Sequence, residues 1–299
     1  MKNVFLYLII FTVNYSFAQI QDTSNWKYIR SKIKDEDFFI KMNPKSAEHY
    51  FSRGSLKKNL NLFDEALSDL SKSIELDPNH SAATYYKRGN LYAQLKKNTE
   101  AINDYSNAIK LFSQYDKAYC NRGLVYKNLG LVDEALNDYN KAIELNPTFT
   151  TAYSNRGSLW DEKKEYAKAI EDYNKAIALG YQSSEVYNNR GKTRMEINDI
   201  NAALEDFEIA IGLDSSSYLG FYNRGLAKNS LKKYTEAILD FDKSISLNPS
   251  HAYSFNARAI SKSNLLMLLE AIEDFERAIE LAPNIVEFKN NLLLAKAKK

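Results

Sequence analysis

Residues 116–149 read DKAYCNRGLVYKNLGLVDEALNDYNKAIELNPTF, and this 34-residue frame recurs along most of the chain. Gly123 has counterparts at Gly54, Gly89, Gly157, Gly191 and Gly225, with Ala259 in a seventh copy. Ala135 recurs as Ala66, Ala101, Ala169, Ala203, Ala237 and Ala271. Four residues further on, Tyr139 recurs as Leu70, Tyr105, Tyr173, Phe207, Phe241 and Phe275. An i, i+4 spacing of this kind is helical. All five prolines keep the same frame: Pro44, Pro78, Pro147, Pro249 and Pro283 are 34, 69, 102 and 34 residues apart. A fixed period of this length marks stacked supersecondary units, so the expected fold is all-α, with each unit a pair of helices joined by a polar turn.

The frame sets seven units at 47–81, 82–115, 116–149, 150–183, 184–217, 218–251 and 252–285. Residues 19–46, with Trp26, Ile29, Ile33, Ile40 and Pro44, read as a degenerate half unit that closes one end. Residues 286–299 read as a closing helix at the other, because bare end faces would be apolar and wet. Residues 1–18 begin with Lys2, continue through an apolar run from Val4 to Val13 and end in Ser16 and Ala18, which predicts a cleavable export signal. The apolar run is short for a membrane span, so a periplasmic or extracellular protein with no span after cleavage is expected. The lone cysteine, Cys120, forms no internal disulfide and reads as a small helix-lining residue. A formal net charge of +2 offers no long-range field for phosphate, which argues against nucleic acid as a partner.

The third unit resembles the tetratricopeptide repeat family: Tyr119, Gly123, Tyr126, Ala135, Tyr139, Ala142 and Pro147 follow that family's pattern. The resemblance implies a right-handed α-solenoid whose first helices line a concave peptide-binding surface. Departures are local. Ser113, Tyr181 and Ser215 replace the Pro, and Lys57, Arg194, Lys228 and Lys262 replace the second aromatic of the first helix, which predicts weaker joints there.

Two ladders run through the units. Arg53, Arg88, Arg122, Arg156, Arg190, Arg224 and Arg258 precede the small residue, and Asp69, Asp104, Asp138, Asp172, Asp206, Asp240 and Asp274 follow sixteen residues later. An antiparallel helix pair sets the two positions side by side, so a structural ion-pair seam is expected over an anion-binding stripe. Asn121, Asn155, Asn189 and Asn223 form the second ladder, suited by amide chemistry to hold a peptide backbone. A similar Asn ladder in a glycosyltransferase of the family holds peptide, and the alternative is that Asn is merely tolerated there. Side-chain pockets are expected at Tyr86 and Asn90, and at Leu219, Tyr222, Leu226, Tyr253 and Ile260. The family's carboxylate clamp needs Lys and Asn, then Asn, then Lys and Arg, where this chain has Tyr86 with Asn90, Cys120 with Leu124, and Ser154 with Ser158, which disfavours a chaperone-tail adaptor.

In the last turn, Leu265 to Leu269 replace polar residues, leaving Leu266, Met267 and Leu269 as a candidate interface. His49, His80 and His251 are too dispersed to converge. No phosphate loop, zinc motif, nucleophile elbow or dinucleotide fingerprint is present in the sequence, so no enzyme, cofactor or metal site is expected. The sequence reading is a non-enzymatic scaffold or adaptor for a protein or peptide partner, with a self-associating envelope protein as the alternative.

Overall fold

A computed structural model describes residues 25–79 and 81–298. The expected signal at residues 1–18 and His80 lie outside the described residues. All regular structure among the described residues is helical, and the chain divides into two compact bodies, one reaching to Pro147 and the other starting at Thr148.

In the N-terminal body, helix α1 (25–42) precedes three hairpins. These pair α2 (Ala47–Asn59) with α3 (Phe63–Leu76), α4 (Ala82–Gln94) with α5 (Asn98–Leu111), and α6 (Asp116–Asn128) with α7 (Val132–Leu145). The C-terminal body has four: α8 (Thr150–Glu162) with α9 (Tyr166–Ala178), α10 (Ser184–Glu196) with α11 (Ile200–Leu213), α12 (Tyr218–Ser230) with α13 (Tyr234–Leu247), and α14 (Ala252–Asn264) with α15 (Leu268–Leu281). Helix α16 (Val286–Lys298) follows. Within each body every second helix packs on the next first helix, and successive first helices also touch.

The hairpin interiors follow from residue size. Tyr105, Tyr139, Tyr173, Phe207, Phe241 and Phe275 are fully buried, each with its ring across its own hairpin towards the small residue of the first helix. A Cβ added to Gly225 would lie 2.6 Å from Phe241 Cε1, so the helices approach this closely only because a side chain is missing. Removing one of these rings costs about 3–5 kcal/mol.

Every hairpin turns in the same way. Asn61, Lys96, Gly130, Lys164, Asn198, Lys232 and Leu266 adopt left-handed conformations, with φ between 57° and 75°. The next residue in each case donates its N–H to the carbonyl five back, at 2.8–3.1 Å, the Schellman closure of a helix end. Only Gly130 carries the residue this conformation favours, and Leu266 carries one of the least suited.

Where Tyr181 replaces the proline, α9 ends early and Gly180 takes φ 90°, with Tyr181 N–H donating to Ala176 O at 3.0 Å. A left-handed glycine ends the helix here, where four of the seven units carry a proline.

At the ends of the chain, α1 buries Ile29 and Ile40, and α16 buries Phe288 and Ala295 against the last hairpin.

Candidate functional site

The arginine and aspartate ladders meet inside each hairpin. In all seven, the Arg Nε and Nη2 donate to the two carboxylate oxygens of the Asp sixteen residues later, at 2.5–3.0 Å. The carboxylates are buried, and planar guanidinium suits this two-pronged contact. An aromatic ring three residues before each Arg lies over it: Tyr50, Tyr85, Tyr119, Tyr153, Tyr187, Phe221 and Phe255, with guanidinium carbons 5.4–5.9 Å from the ring centres. These rings cover the ion pair, and Phe255 also packs in the cluster shared by Ile245 of α13 and Phe288 of α16.

The weaker joints expected at Lys57, Arg194, Lys228 and Lys262 need correcting. Each is a second cation on the same carboxylate, at 2.7–2.9 Å from Asp69, Asp206, Asp240 and Asp274. Where an aromatic is kept instead, Tyr92 and Tyr126 close the other side of Arg88 and Arg122. In these six hairpins one device replaces the other around the same buried charge, while Trp160 of the fourth lies under Lys168 at 4.6 Å.

The arginines also join neighbouring hairpins. Nη1 of Arg88, Arg122, Arg190 and Arg258 donates to Ser71, Ser106, Asn174 and Asp242 on the second helix of the preceding hairpin, at 2.6–3.1 Å. Arg53 makes the same contact to Asp37 of α1 at 2.7 Å. Every charge-assisted bond of the seam is internal, which leaves it little capacity for a ligand.

The asparagines divide. Asn121 Nδ2 donates to Asn90 Oδ1 at 2.7 Å and to the Tyr86 hydroxyl at 3.1 Å, so three expected site residues form one cluster. The Tyr105 hydroxyl joins it by donating to Asn90 Oδ1 at 2.8 Å. Tyr115 packs on Tyr86 with ring centres 4.9 Å apart, and burial followed by the neighbouring Tyr86 pushes its hydroxyl up to about 12.

Asn223 is 7% exposed and donates to Asn188 Oδ1 at 2.8 Å, so it ties two first helices together instead of facing a ligand. Asn291 repeats that tie to Asn256 at 3.1 Å. Asn155 and Asn189 lie half-buried on α8 and α10. The signal in the sequence was the 35-residue interval between donor and acceptor, one longer than the repeat.

On α12 and α14 the first-helix face carries Leu219 and Tyr253, 42% and 47% exposed, beside the half-buried Tyr222 and Leu226. His251 sits among Tyr218, Tyr222 and Tyr253, with ring centres at 4.9, 5.0 and 5.8 Å. Burial holds its pKa below the usual histidine value, and burial pushes the Tyr222 hydroxyl up to about 12, where it stays a donor. Ile260 instead packs, as Leu292 of α16 does, against the cluster of Ala259, Ala271, Phe275 and Ala295, which takes much of its surface away from any ligand. In the last turn Leu266 is 77% exposed, and Met267 and Leu269 are exposed beside it.

No group of metal-ligating side chains occurs among the described residues, and none of their helices is long and apolar enough to cross a membrane.

Comparison with known proteins gives the same repeat. Residues 116–149 and 218–251 match one tetratricopeptide repeat model, and 47–80, 150–179 and 184–217 match a second. Residues 89–130 match a further TPR repeat model. No curated protein sequence matches the chain. Among solved structures, a tetratricopeptide repeat protein from Parabacteroides merdae is 20% identical, covering 84% of this chain and 99% of its own, with a TM-score of 0.63. PilF of Pseudomonas aeruginosa is 18% identical, covering 73% and 97%, with a TM-score of 0.65. YrrB, described as a TPR protein with an unusual peptide-binding site, is 22% identical, covering 64% and 97%, with a TM-score of 0.55. These structural likenesses speak for the fold, and the repeat models cover about two thirds of the sequence. The chain belongs to the tetratricopeptide repeat family.

Proposed function

We propose that this chain is a non-enzymatic scaffold that holds an extended peptide or a partner helix on the face formed by its first helices. The family typically mediates protein–protein interactions and is generally non-catalytic. The observation that carries the reading is the exposure of Leu219 and Tyr253 on the first helices of the C-terminal body, beside the half-buried Tyr222 and Leu226. Aromatic anchors of this type dominate binding energy when a partner covers them. YrrB, which shares the fold, is described as having a peptide-binding site, and that likeness of fold supports a peptide as the partner without placing it. The test is selection of displayed random peptides on the full chain, repeated with Leu219→Ala and Tyr253→Ala. Loss of about tenfold or more in affinity is expected from the second change, and unchanged affinity in both variants refutes the assignment.

A second reading, self-association through the last turn, is favoured by Leu266, which is both highly exposed and held in a left-handed conformation. Light scattering on Met267→Lys with Leu269→Lys decides it: a particle mass equal to that of the unchanged chain removes this reading.

We also infer export, with loss of residues 1–18 and a working place in the periplasm or outside the cell, from the charged, apolar and small-residue order of that segment. The intact mass of the protein recovered from its native cell tests this, and a retained leader overturns it.

A further inference from the structure

In the N-terminal body a cavity of ≈ 320 Å³ opens where the start of α2, the end of α3 and the start of α4 meet. Glu48 and Phe51 line it from α2, Ser73 and Asp77 from the end of α3, and Ser81 and Thr84 from the start of α4. One water needs only ~15 Å³, so this space takes a side chain. Two of its walls depart from the repeat. The places of Ser73 and Thr84 are held at other joints by Ala108 with Ala118 and by Ala176 with Val186, packed with no exposed surface. Where Ser244 and Ser254 hold them, the two hydroxyls bond each other at 2.8 Å. Ser73 and Thr84 are only 4% and 3% exposed, yet neither hydroxyl has a hydrogen-bond partner among the described residues. Ser81, which precedes α4, makes no side-chain bond to that helix either. Burying a hydroxyl without a partner is unfavourable, so the pair points to a ligand that bonds it.

The lining also sets the sign of that ligand. Ionised Glu48 and Asp77 only accept, the three hydroxyls can all accept, and Ala47 and Phe51 offer neither, so no side chain of the lining is an obligate donor. His49 bonds Glu36 and Arg53 bonds Asp69, and no cation reaches Glu48 among the described residues. Lys87 lies 4.9 Å above the Phe51 ring, but burial and then Lys58 hold its pKa below the ordinary lysine value and no carboxylate raises it, so it does not answer Glu48. The starts of α2 and α4 each bring about half a positive elementary charge and the end of α3 about half a negative one, so Glu48 alone keeps the cavity negative. An ammonium offers three donors and no acceptor. Its rotatable donors suit acceptors spread over three elements better than the planar fork of a guanidinium does. Ala47, Phe51 and the Thr84 methyl supply the apolar surface along which an aliphatic stem lies.

We propose that this cavity receives a lysine side chain of the partner peptide, with its stem along Ala47 and Phe51 and its ammonium on Glu48 and the Ser73 and Thr84 hydroxyls. The proposal rests on the peptide-binding reading above and concerns the N-terminal body, whereas Leu219 and Tyr253 lie in the C-terminal one.

The test titrates Nα-acetyl-lysine methylamide at millimolar concentration into the isotope-labelled full chain and follows backbone amide shifts by NMR. The comparison ligands are Nα-acetyl-norleucine methylamide, which keeps the stem without the charge, Nα-acetyl-arginine methylamide, and glycinamide as a free chain terminus. The lysine derivative should shift the amides around Glu48, Ser73 and Thr84 and bind the tightest of the four. Glu48→Gln should weaken it about three- to fivefold, as expected of an ion pair to an exposed carboxylate. Thr84→Val should weaken it about twofold or more without lowering the thermal midpoint, because Val186 holds the same place elsewhere and the hydroxyl removed has no internal partner. Absent shifts, or equal binding of the norleucine derivative, overturn the proposal. Tighter binding of the arginine derivative or of glycinamide overturns the assignment to a lysine side chain. A lower midpoint in Thr84→Val with binding unchanged shows that the hydroxyl serves the fold and ends the proposal too. Peptide selection on the same chain separates the two failures. Selected peptides without lysine enrichment, together with no response to the lysine derivative, leave the peptide-binding reading standing and end this one. A response to the derivative with no selected peptide leaves an ammonium site and ends the peptide reading.

Discussion

Replacing Arg122 by Met and Asp138 by Ala, singly, tests the seam where it is simplest. Asp138 receives Arg122 Nε and Nη2, both at 2.8 Å, and no second cation reaches it among the described contacts. Arg122 is itself enclosed by Tyr119 and Tyr126, at 5.6 and 5.8 Å, and donates to Ser106 at 2.9 Å. Asp138→Ala therefore leaves a guanidinium that cannot lose its charge in a half-closed aromatic slot. Breaking a buried pair in this way costs about 3–5 kcal/mol. The side chain of Arg122 keeps 17% of its exposure, so water reaches it in part and the lower end of that range is expected.

Arg122→Met differs because a carboxylate can take up a proton. Burial already raises the Asp138 pKa against the pull of Arg122, and removing that pull raises it further. A raised carboxyl pKa means that the folded state binds protons which the unfolded chain does not, in the window between the unfolded and folded values. Stability then falls as pH rises through that window and is regained on acidification. Urea unfolding followed by circular dichroism, at about pH 7.5 and about pH 5, should show Arg122→Met recovering part of its loss at the lower pH, measured against the unchanged chain. Asp138→Ala, having no group to protonate there, should show no such recovery. Arg122→Met with Asp138→Ala should cost less than the two single losses added together. A double change additive to within about 0.5 kcal/mol would refute the claim that the two residues act as one unit.

Three further outcomes follow from the same geometry. Leu266→Gly relieves a left-handed leucine and should stabilise the C-terminal body by about 1 kcal/mol, measured by thermal unfolding, whereas a lower midpoint would mean that the leucine is held by contacts. His251, whose folded pKa lies below its unfolded value, should make stability fall as pH drops through the unfolded value towards the folded one, and His251→Gln should flatten that slope. Asn223→Ala should cost about 0.5–1.5 kcal/mol in unfolding while leaving peptide selection unchanged, because its amide is committed to Asn188.

The helix pairs were legible because the 34-residue frame repeats both the small residues and the rings that face them. The turn conformation was not. Seven equivalent positions share a left-handed φ, but Asn, Lys, Gly and Leu all occupy them, and only Gly130 announces the geometry. The exchange of Tyr92 or Tyr126 for a cation read as a loss of pattern, since the sequence does not show that ring and cation serve the same carboxylate. The cluster of Tyr86, Asn90 and Asn121 was legible as positions on one face. Its chemistry depends on which atom of each amide is already bonded, and no spacing encodes that.

The third bond of Arg53, Arg88, Arg122, Arg190 and Arg258 gives each body a polarity. Arg88, Arg122, Arg190 and Arg258 all reach backwards, towards the hairpin that was synthesised earlier. A hairpin emerging from the ribosome therefore finds its acceptor already folded. Trimming repeats from the carboxyl end of a body strands mostly neutral hydroxyls and amides, whereas trimming from the amino end leaves a cation reaching into empty solvent. Fraying should accordingly start from different ends depending on which terminus is cut back.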